Sequence, residues 1–213
     1  MKCKNCNNQT FYTLQNGYIK CKKCAKKYSV KKLQKDEAII NAFCENKNAL
    51  ETSKELKTNY RTIKDRFDEY RHKIALYLEE EYNSSIKDYS EYEEFYYFKQ
   101  RDKNKKKKNL YEAINIMGFY SNNKVYTLLM PRLTTTMFEE DSGFDAYMNW
   151  YKIHSQNSYQ TKLKSFWNFL EENLKKYKGV DENNFFYYLK ECEFRFNYTK
   201  EEQIKILIED IKV

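Results

Sequence analysis

Apolar and polar positions follow three successive patterns along the chain. Residues 11–14 and 18–20 are short β-prone runs flanking Gln15-Asn16-Gly17, and Asn-Gly is a strong hairpin signal. Residues 27–30 can add a third short strand, and 31–35 read as a brief basic linker. From Asp36 the period becomes helical, with Ile39, Ile40 and Phe43 on one face. A second helix over about 49–57 turns Leu50, Ser53 and Leu56 inward. A third, capped by Thr58 or Asn59, begins near Tyr60 and carries a stripe of Ile63, Phe67, Tyr70, Ile74, Tyr77 and Leu78.

The period then changes to that of strands. Residues 91–98 form an aromatic strand, and 114–120 and 125–130 form two more, joined by Ser121-Asn122-Asn123-Lys124 as a hairpin turn. The lysine run at 103–108 is a solvated loop. Helices follow at about 138–151, 159–177, 183–196 and 200–211, the third with Phe185, Tyr188, Leu189 and Cys192 on one side. Strands followed by helices indicate an α+β fold. The boundaries fall at 1–35, 36–86 and 87–213. With four glycines and one proline in 213 residues, long loops are not expected, and 41% hydrophobic residues supply a core. No apolar run approaches the ~18 residues of a membrane helix, so no membrane partner is expected.

Four cysteines change the picture of the first segment. Cys3 and Cys6, then Cys21 and Cys24, give C-x2-C, fourteen residues, C-x2-C. Each C-x2-C turn aims two thiolates at one point, and two turns meeting across a hairpin make a tetrahedral zinc site. Disulfides or four unrelated thiols are the alternatives. No secretory apolar segment precedes Cys3, so a reducing, cytoplasmic compartment is expected, and this favours metal. Cys44 and Cys192 lie within helical patterns and read as plain buried thiols.

Charge sharpens the reading. Residues 1–35 hold ten lysines and no acidic residue; the other 178 residues carry 29 basic against 31 acidic side chains, so the whole net charge of +8 arises from the first segment. A compact basic module of this kind suits a polyanion, most simply nucleic acid, with Lys22, Lys23, Lys26 and Lys27 as contacts. A solvated lysine surface is the plainer alternative. The stretch ALETSKELKTNYRTIKDRF also reads as a helix-turn-helix, although Lys57 stands where the turn usually has glycine. The start of the third helix offers Asn59, Tyr60, Arg61, Thr62, Lys64 and Arg66 to a major groove, where Arg grips guanine and Asn grips adenine. An ordinary helical bundle with a charged face remains the alternative. The overhang of that helix toward Tyr82 leaves a spacer or a dimer seam, hence a possible homo-oligomer, open.

Four pieces together resemble insertion-sequence transposases of the zinc-ribbon, DDE type: the ribbon, the helix pair, the strand VYTLLMP (125–131), and the run FWNFLEENLKKYKGVDENNFFYYLKECEFRFN (166–197), in which Gly179 and residues 189–197 fit closely. The resemblance implies an RNase H-like domain from about Tyr89 onward. It also implies three carboxylates holding two magnesium or manganese ions for DNA cleavage and joining. Glu93, in Glu91-Tyr92-Glu93-Glu94, takes the first place, and strand alternation puts Glu91 and Glu93 on one face and Glu94 on the other. Asp141, in DSGFDAY, takes the second, with only nine residues between it and Pro131. The third position, before Phe166-Trp167, carries Lys164 and Ser165 instead of a carboxylate. The expectation is a bacterial, nucleoid-associated protein that binds duplex DNA, with transposase chemistry impaired or lost. An active metal-dependent transposase, a non-catalytic DNA-binding regulator and an RNA-binding ribbon protein are the alternatives.

Overall fold

The computed structural model describes residues 2–85, 88–99, 110–133, 161–177 and 180–209. Among the described residues it is an α+β protein with two three-stranded antiparallel sheets and six α-helices. The chain divides into two compact units: residues 1–77 with 198–213, and residues 78–197.

The first unit opens with a ribbon of β1 (Phe11–Thr13), β2 (Tyr18–Cys21) and β3 (Lys27–Ser29), in that spatial order. The hairpin closes where expected. Leu14 N–H donates to the Tyr18 carbonyl, and Gly17 takes φ +74°, a conformation that glycine adopts without a Cβ clash. Three helices follow: α1 (Val30–Cys44), α2 (Ala49–Glu55) and α3 (Tyr60–Ser84). Residues 31–35 are therefore helix, not linker. Ser29 caps α1 through its side chain, which accepts from Lys32 N–H, and the Lys, Leu and Gln that follow are good helix formers.

Asn48 and Glu51 form a reciprocal capping box at the start of α2. Its buried residues are Thr52 and Ser53, whereas Leu50 is 53% exposed, against the sequence expectation. Both hydroxyls bond the preceding turn, Thr52 to Asn48 O and Ser53 to Leu50 O, so these short side chains can be buried with their polar atoms satisfied. Asn59 caps α3, accepting from Arg61 N–H at 2.8 Å. The apolar stripe of α3 is buried as read, through Ile63, Phe67, Tyr70 and Ile74. Phe43 of α1 meets Phe67 and Tyr70 edge-on at 5.1 and 5.4 Å, which joins α1 to α3. Helix α6 (Lys200–Glu209) packs against α1, with Lys200 paired to Glu45 at 2.8 Å.

The second unit is built on β4 (Tyr89–Tyr97), β5 (Ile114–Ser121) and β6 (Lys124–Leu129), ordered β4-β5-β6. Asn122 and Asn123 both take positive φ (+51° and +62°), which makes the β5–β6 turn a tight two-residue hairpin. Helices α4 (Lys162–Leu174) and α5 (Glu182–Asn197) cover one face of the sheet. The core between them gathers Phe95, Ile114, Ile116 and Val125 from the strands with Leu163, Phe166, Trp167, Leu170, Phe185, Leu189 and Cys192 from the helices. Cys44 and Cys192 are both buried, as read.

The open edge of β6 is closed by side chains rather than by a strand. Asn197 accepts from Val125 N–H at 2.8 Å and donates to Val125 C=O at 2.7 Å. Two residues along β6, Glu193 accepts from Thr127 N–H at 3.0 Å and Lys190 donates to Thr127 C=O at 2.8 Å. One polar row of α5 thus does for β6 what a fourth strand would do, and blunts a sheet edge that would otherwise pair with other chains.

Candidate metal centre and nucleic-acid interface

The two C-x2-C turns have the same local geometry. Cys3 C=O accepts from Asn7 N–H and Cys21 C=O from Ala25 N–H, at 2.8 and 3.1 Å. Cys3 N–H donates to Asn8 C=O and Cys21 N–H to Lys26 C=O, both at 2.9 Å. Asn7 and Ala25, each following the second cysteine of its pair, take φ +56° and +58°. Repeating one bonding pattern in two turns brings four sulfurs together. The four Sγ atoms lie within 4.8 Å of one another, with Cys3–Cys24 at 3.4 Å and Cys6–Cys21 at 3.5 Å. A tetrahedral ion bound by four thiolates at ~2.3 Å sets its sulfurs about 3.8 Å apart. The cluster can hold a metal ion such as zinc.

The ionisation of the thiols supports the fit. Burial works against the Cys3 thiolate, but hydrogen bonds from the Tyr28 hydroxyl and from nearby backbone outweigh it and bring the group down to about 6. The Asn8 backbone favours ionised Cys6, yet burial and the adjoining Cys24, Cys21 and Cys3 push it up to about 12. A bound divalent ion favours the thiolate form of each ligating thiol and so offsets the unfavourable effect at Cys6. Asn8 Nδ2 lies 3.5 Å from Cys21 Sγ, and Tyr28 Oη 3.2 Å from Cys3 Sγ, so further donors face the sulfurs. Among the described residues these four cysteines are the one group of three or more His, Cys, Asp or Glu side chains close enough to share an ion.

Most lysines of this module face solvent, and Lys20 is half-buried. Lys22, Lys23, Lys26 and Lys27 are all exposed. At the start of α3, Asn59, Tyr60, Arg61, Thr62 and Lys64 are exposed as well. Their engagements differ. Asn59 Oδ1 is committed to the helix cap, and Lys64 pairs with Asp68 at 2.9 Å. Arg66 is only 30% exposed and bonds Glu69 at 3.0 Å, with Asp36 of α1 at 3.6 Å. It braces α1 against α3, a role the sequence did not suggest because Asp36 lies thirty residues away. Between α2 and α3, Lys57 takes φ +46°, the left-handed conformation usual for glycine in such turns.

Glu93 stands on the helix-facing side of β4. Its carboxylate accepts from Trp167 Nε1 at 2.9 Å. Glu91, on the same face, accepts from Leu163 N–H at 3.2 Å and lies 3.4 Å from Lys162 N, at the start of α4, where the helix dipole favours an anion. Glu94 points the other way and accepts from the Tyr96 hydroxyl. Lys164 lies one turn before Trp167 on α4, and the Ser165 hydroxyl donates to Thr161 C=O at 3.2 Å. Asp141, the 103–108 run, Gly179 and the expected 138–151 helix lie outside the described residues.

No family model matches the chain, and no solved structure does. A curated relative, an "Uncharacterized transposase-like protein" of Haemophilus influenzae, is 39% identical over 57 residues, which is 26% of this chain and 46% of that protein. The chain thus spans about half the length of the curated relative it matches. The similarity supports a transposase-like family and a transposase-related function. No helix among the described residues is long and apolar enough to cross a membrane.

Proposed function

We propose that this chain is a transposase-like protein that binds duplex DNA through a zinc ribbon and a helix-turn-helix, and that it does not efficiently cut or join strands. The observation that carries the reading is the four-sulfur cluster set in a module of ten lysines and no carboxylate, with a helix pair beyond α1 whose exposed helix start bears Arg61. Zinc is the ion that four thiolates in tetrahedral array favour. Cys3, Cys6, Cys21 and Cys24 would hold it and gain folding energy from it.

Helix α3 is the recognition helix on this reading, with Arg61 as the base reader and Tyr60 and Lys64 beside it. The ribbon lysines Lys22, Lys23, Lys26 and Lys27 engage phosphates and set affinity rather than sequence choice. The sheet of the second unit with α4 and α5 is taken as a reduced RNase H-like domain. Its first acidic position, Glu93, is held by Trp167, and Lys164 brings positive charge where a third metal-binding carboxylate belongs. Two divalent ions held close together need several carboxylates to offset their repulsion, and Glu93, with Asp141 at most, is too few.

Duplex binding followed across a salt series tests the proposal. Affinity should fall steeply with salt, by a logarithmic slope of about 0.9 for each phosphate engaged. Removing Lys22, Lys23, Lys26 and Lys27 together should flatten that slope. Binding that ignores salt, or a slope unchanged in the quadruple variant, removes the ribbon from the interface.

A further inference from the structure

The ribbon sheet has two unlike faces. Residues paired directly across antiparallel strands point the same way. The register pairs Thr13 with Ile19 and Ile19 with Tyr28, and Phe11 with Cys21. That face looks toward the metal-binding sulfurs, with Phe11 edge-on to Tyr28 at 6.2 Å and Tyr28 bonded to Cys3. The opposite face carries Tyr12, Lys20 and Lys27 across one rung, and Tyr18 two residues before Lys20. Lys22 continues it, its ammonium 5.0 Å from the centre of the Tyr12 ring.

Two tyrosines therefore lie in the open on this face, 56% and 41% exposed, among three lysines. The Tyr12 ring meets the Lys22 ammonium, and both rings keep much of their surface open to solvent. No carboxylate in residues 1–35 offsets the lysines. Lysine alone would suit the phosphates of any nucleic acid. Flat aromatic rings set between phosphate-binding lysines suit something more particular, because a base in a duplex hides its faces in the stack while an unpaired base offers one to a ring.

We infer that this face binds single-stranded DNA, with Tyr12 and Tyr18 stacking on unpaired bases and Lys20, Lys22 and Lys27 holding the strand's phosphates. The choice of DNA rests on the transposase-like reading above. The ribbon then grips unpaired nucleotides at a DNA end or opened site while α3 reads the adjoining duplex. Lys22, which contacts Tyr12, serves both phosphate binding and the positioning of that ring.

The test uses the full chain loaded with zinc, a fluorescent oligothymidylate, the matching oligouridylate, and a blunt duplex of equal length. Base stacking on an aromatic ring changes affinity roughly 5- to 150-fold per base when the ring is removed. Tyr12→Ala and Tyr18→Ala should each weaken oligothymidylate binding within that range and leave blunt-duplex binding within about twofold. Tyr12→Phe and Tyr18→Phe, which keep the ring, should bind near wild type. Ultraviolet crosslinking of a bromodeoxyuridine oligonucleotide to the unmodified protein should map to Tyr12 or Tyr18, which reads the contact even if an alanine variant folds poorly. Unchanged single-strand binding in the double alanine variant, or crosslinks confined to other residues, overturns the inference. Tighter binding to oligouridylate overturns the assignment to DNA. Single-strand binding that ignores both tyrosines while blunt-duplex binding persists is a failure of this inference alone, whereas absence of salt-dependent blunt-duplex binding by the unmodified protein is a failure of the duplex reading.

Discussion

The indole of Trp167 lies over Gly118 and donates its N–H to Glu93, the residue paired with Gly118 across the β4–β5 ladder. The ring also stacks on Phe95 at 4.6 Å, nearly parallel. One side chain thus joins α4 to two strands. A Cβ added at Gly118 would come within 2.5 and 2.7 Å of the Trp167 ring and 3.2 Å of Leu163. Gly118→Ala should destabilise the second unit by about 1–3 kcal/mol, the usual cost of overpacking. Denaturant unfolding followed by tryptophan fluorescence measures it, and a cost below ~0.5 kcal/mol would show that Trp167 has room to move.

The same contact bears on catalysis. Glu93 is engaged as a hydrogen-bond acceptor in the sheet–helix contact, and no group of three or more His, Cys, Asp or Glu side chains that could share an ion lies around it among the described residues. The purified protein with magnesium or manganese should leave bound DNA ends intact. Glu93→Gln, which can still accept from the indole, should leave stability within about 1 kcal/mol. A metal-dependent nick that disappears in Glu93→Gln would restore an active enzyme. A nick that survives this substitution would place the chemistry elsewhere.

Among the described residues, Ala25 and Lys57 are the two with positive φ that are neither glycine nor asparagine. Ala25 (+58°) sits in the second cysteine turn and Lys57 (+46°) between α2 and α3, while asparagine, which tolerates this conformation better, occupies position 7. Ala25→Gly and Lys57→Gly should each stabilise the first unit by up to about 1 kcal/mol, less the entropy that glycine adds to the unfolded chain. Thermal or chemical unfolding reads this directly. Clear destabilisation by either change would mean that the left-handed turn costs little as it stands.

Metal removal should act locally. With four thiolates no longer neutralised, the ribbon loses the folding energy its ion supplies, while the cores of the helical parts, built from apolar side chains, persist. A strong chelator should abolish protection of the ribbon amides from hydrogen exchange and leave those of α5 unchanged. Cys3→Ser with Cys21→Ser should reproduce the effect without chelator. A ribbon that stays protected in the double variant would show that its hairpin folds without metal.

The sequence carried the elements with short-range causes. Asn-Gly, the paired asparagines at 122–123, the C-x2-C pairs and the α3 stripe all act within a few residues, and each reads directly. The start of α1 was missed because its lysines looked like a linker, although Ser29 is an ordinary N-cap. Long-range pairings were not legible. Nothing local says that Arg66 turns to Asp36, or that Glu93 meets Trp167 seventy-four residues later. The run at 189–197 was recognisable as a resemblance, but its physical work appears only when Lys190, Glu193 and Asn197 are seen along the edge of β6. The exposed tyrosines of the ribbon left a signal that was available and unused: alternation within β1 and β2 already separates Tyr12 and Tyr18 from Phe11 and Ile19.

Selection of bound sequences from a random duplex pool tests the central reading most directly, run in parallel on the unmodified protein, Arg61→Ala and Arg66→Ala. Arg61 is exposed at the start of α3, whereas Arg66 is tied to Glu69 and Asp36. A defined motif should emerge, and Arg61→Ala should lose preference at one position, at about 1–3 kcal/mol there, with little change on random DNA. Arg66→Ala should keep the motif and lose stability instead. A flat selection from the unmodified protein, or a motif indifferent to Arg61, would contradict the account of α3 as the reader of duplex DNA.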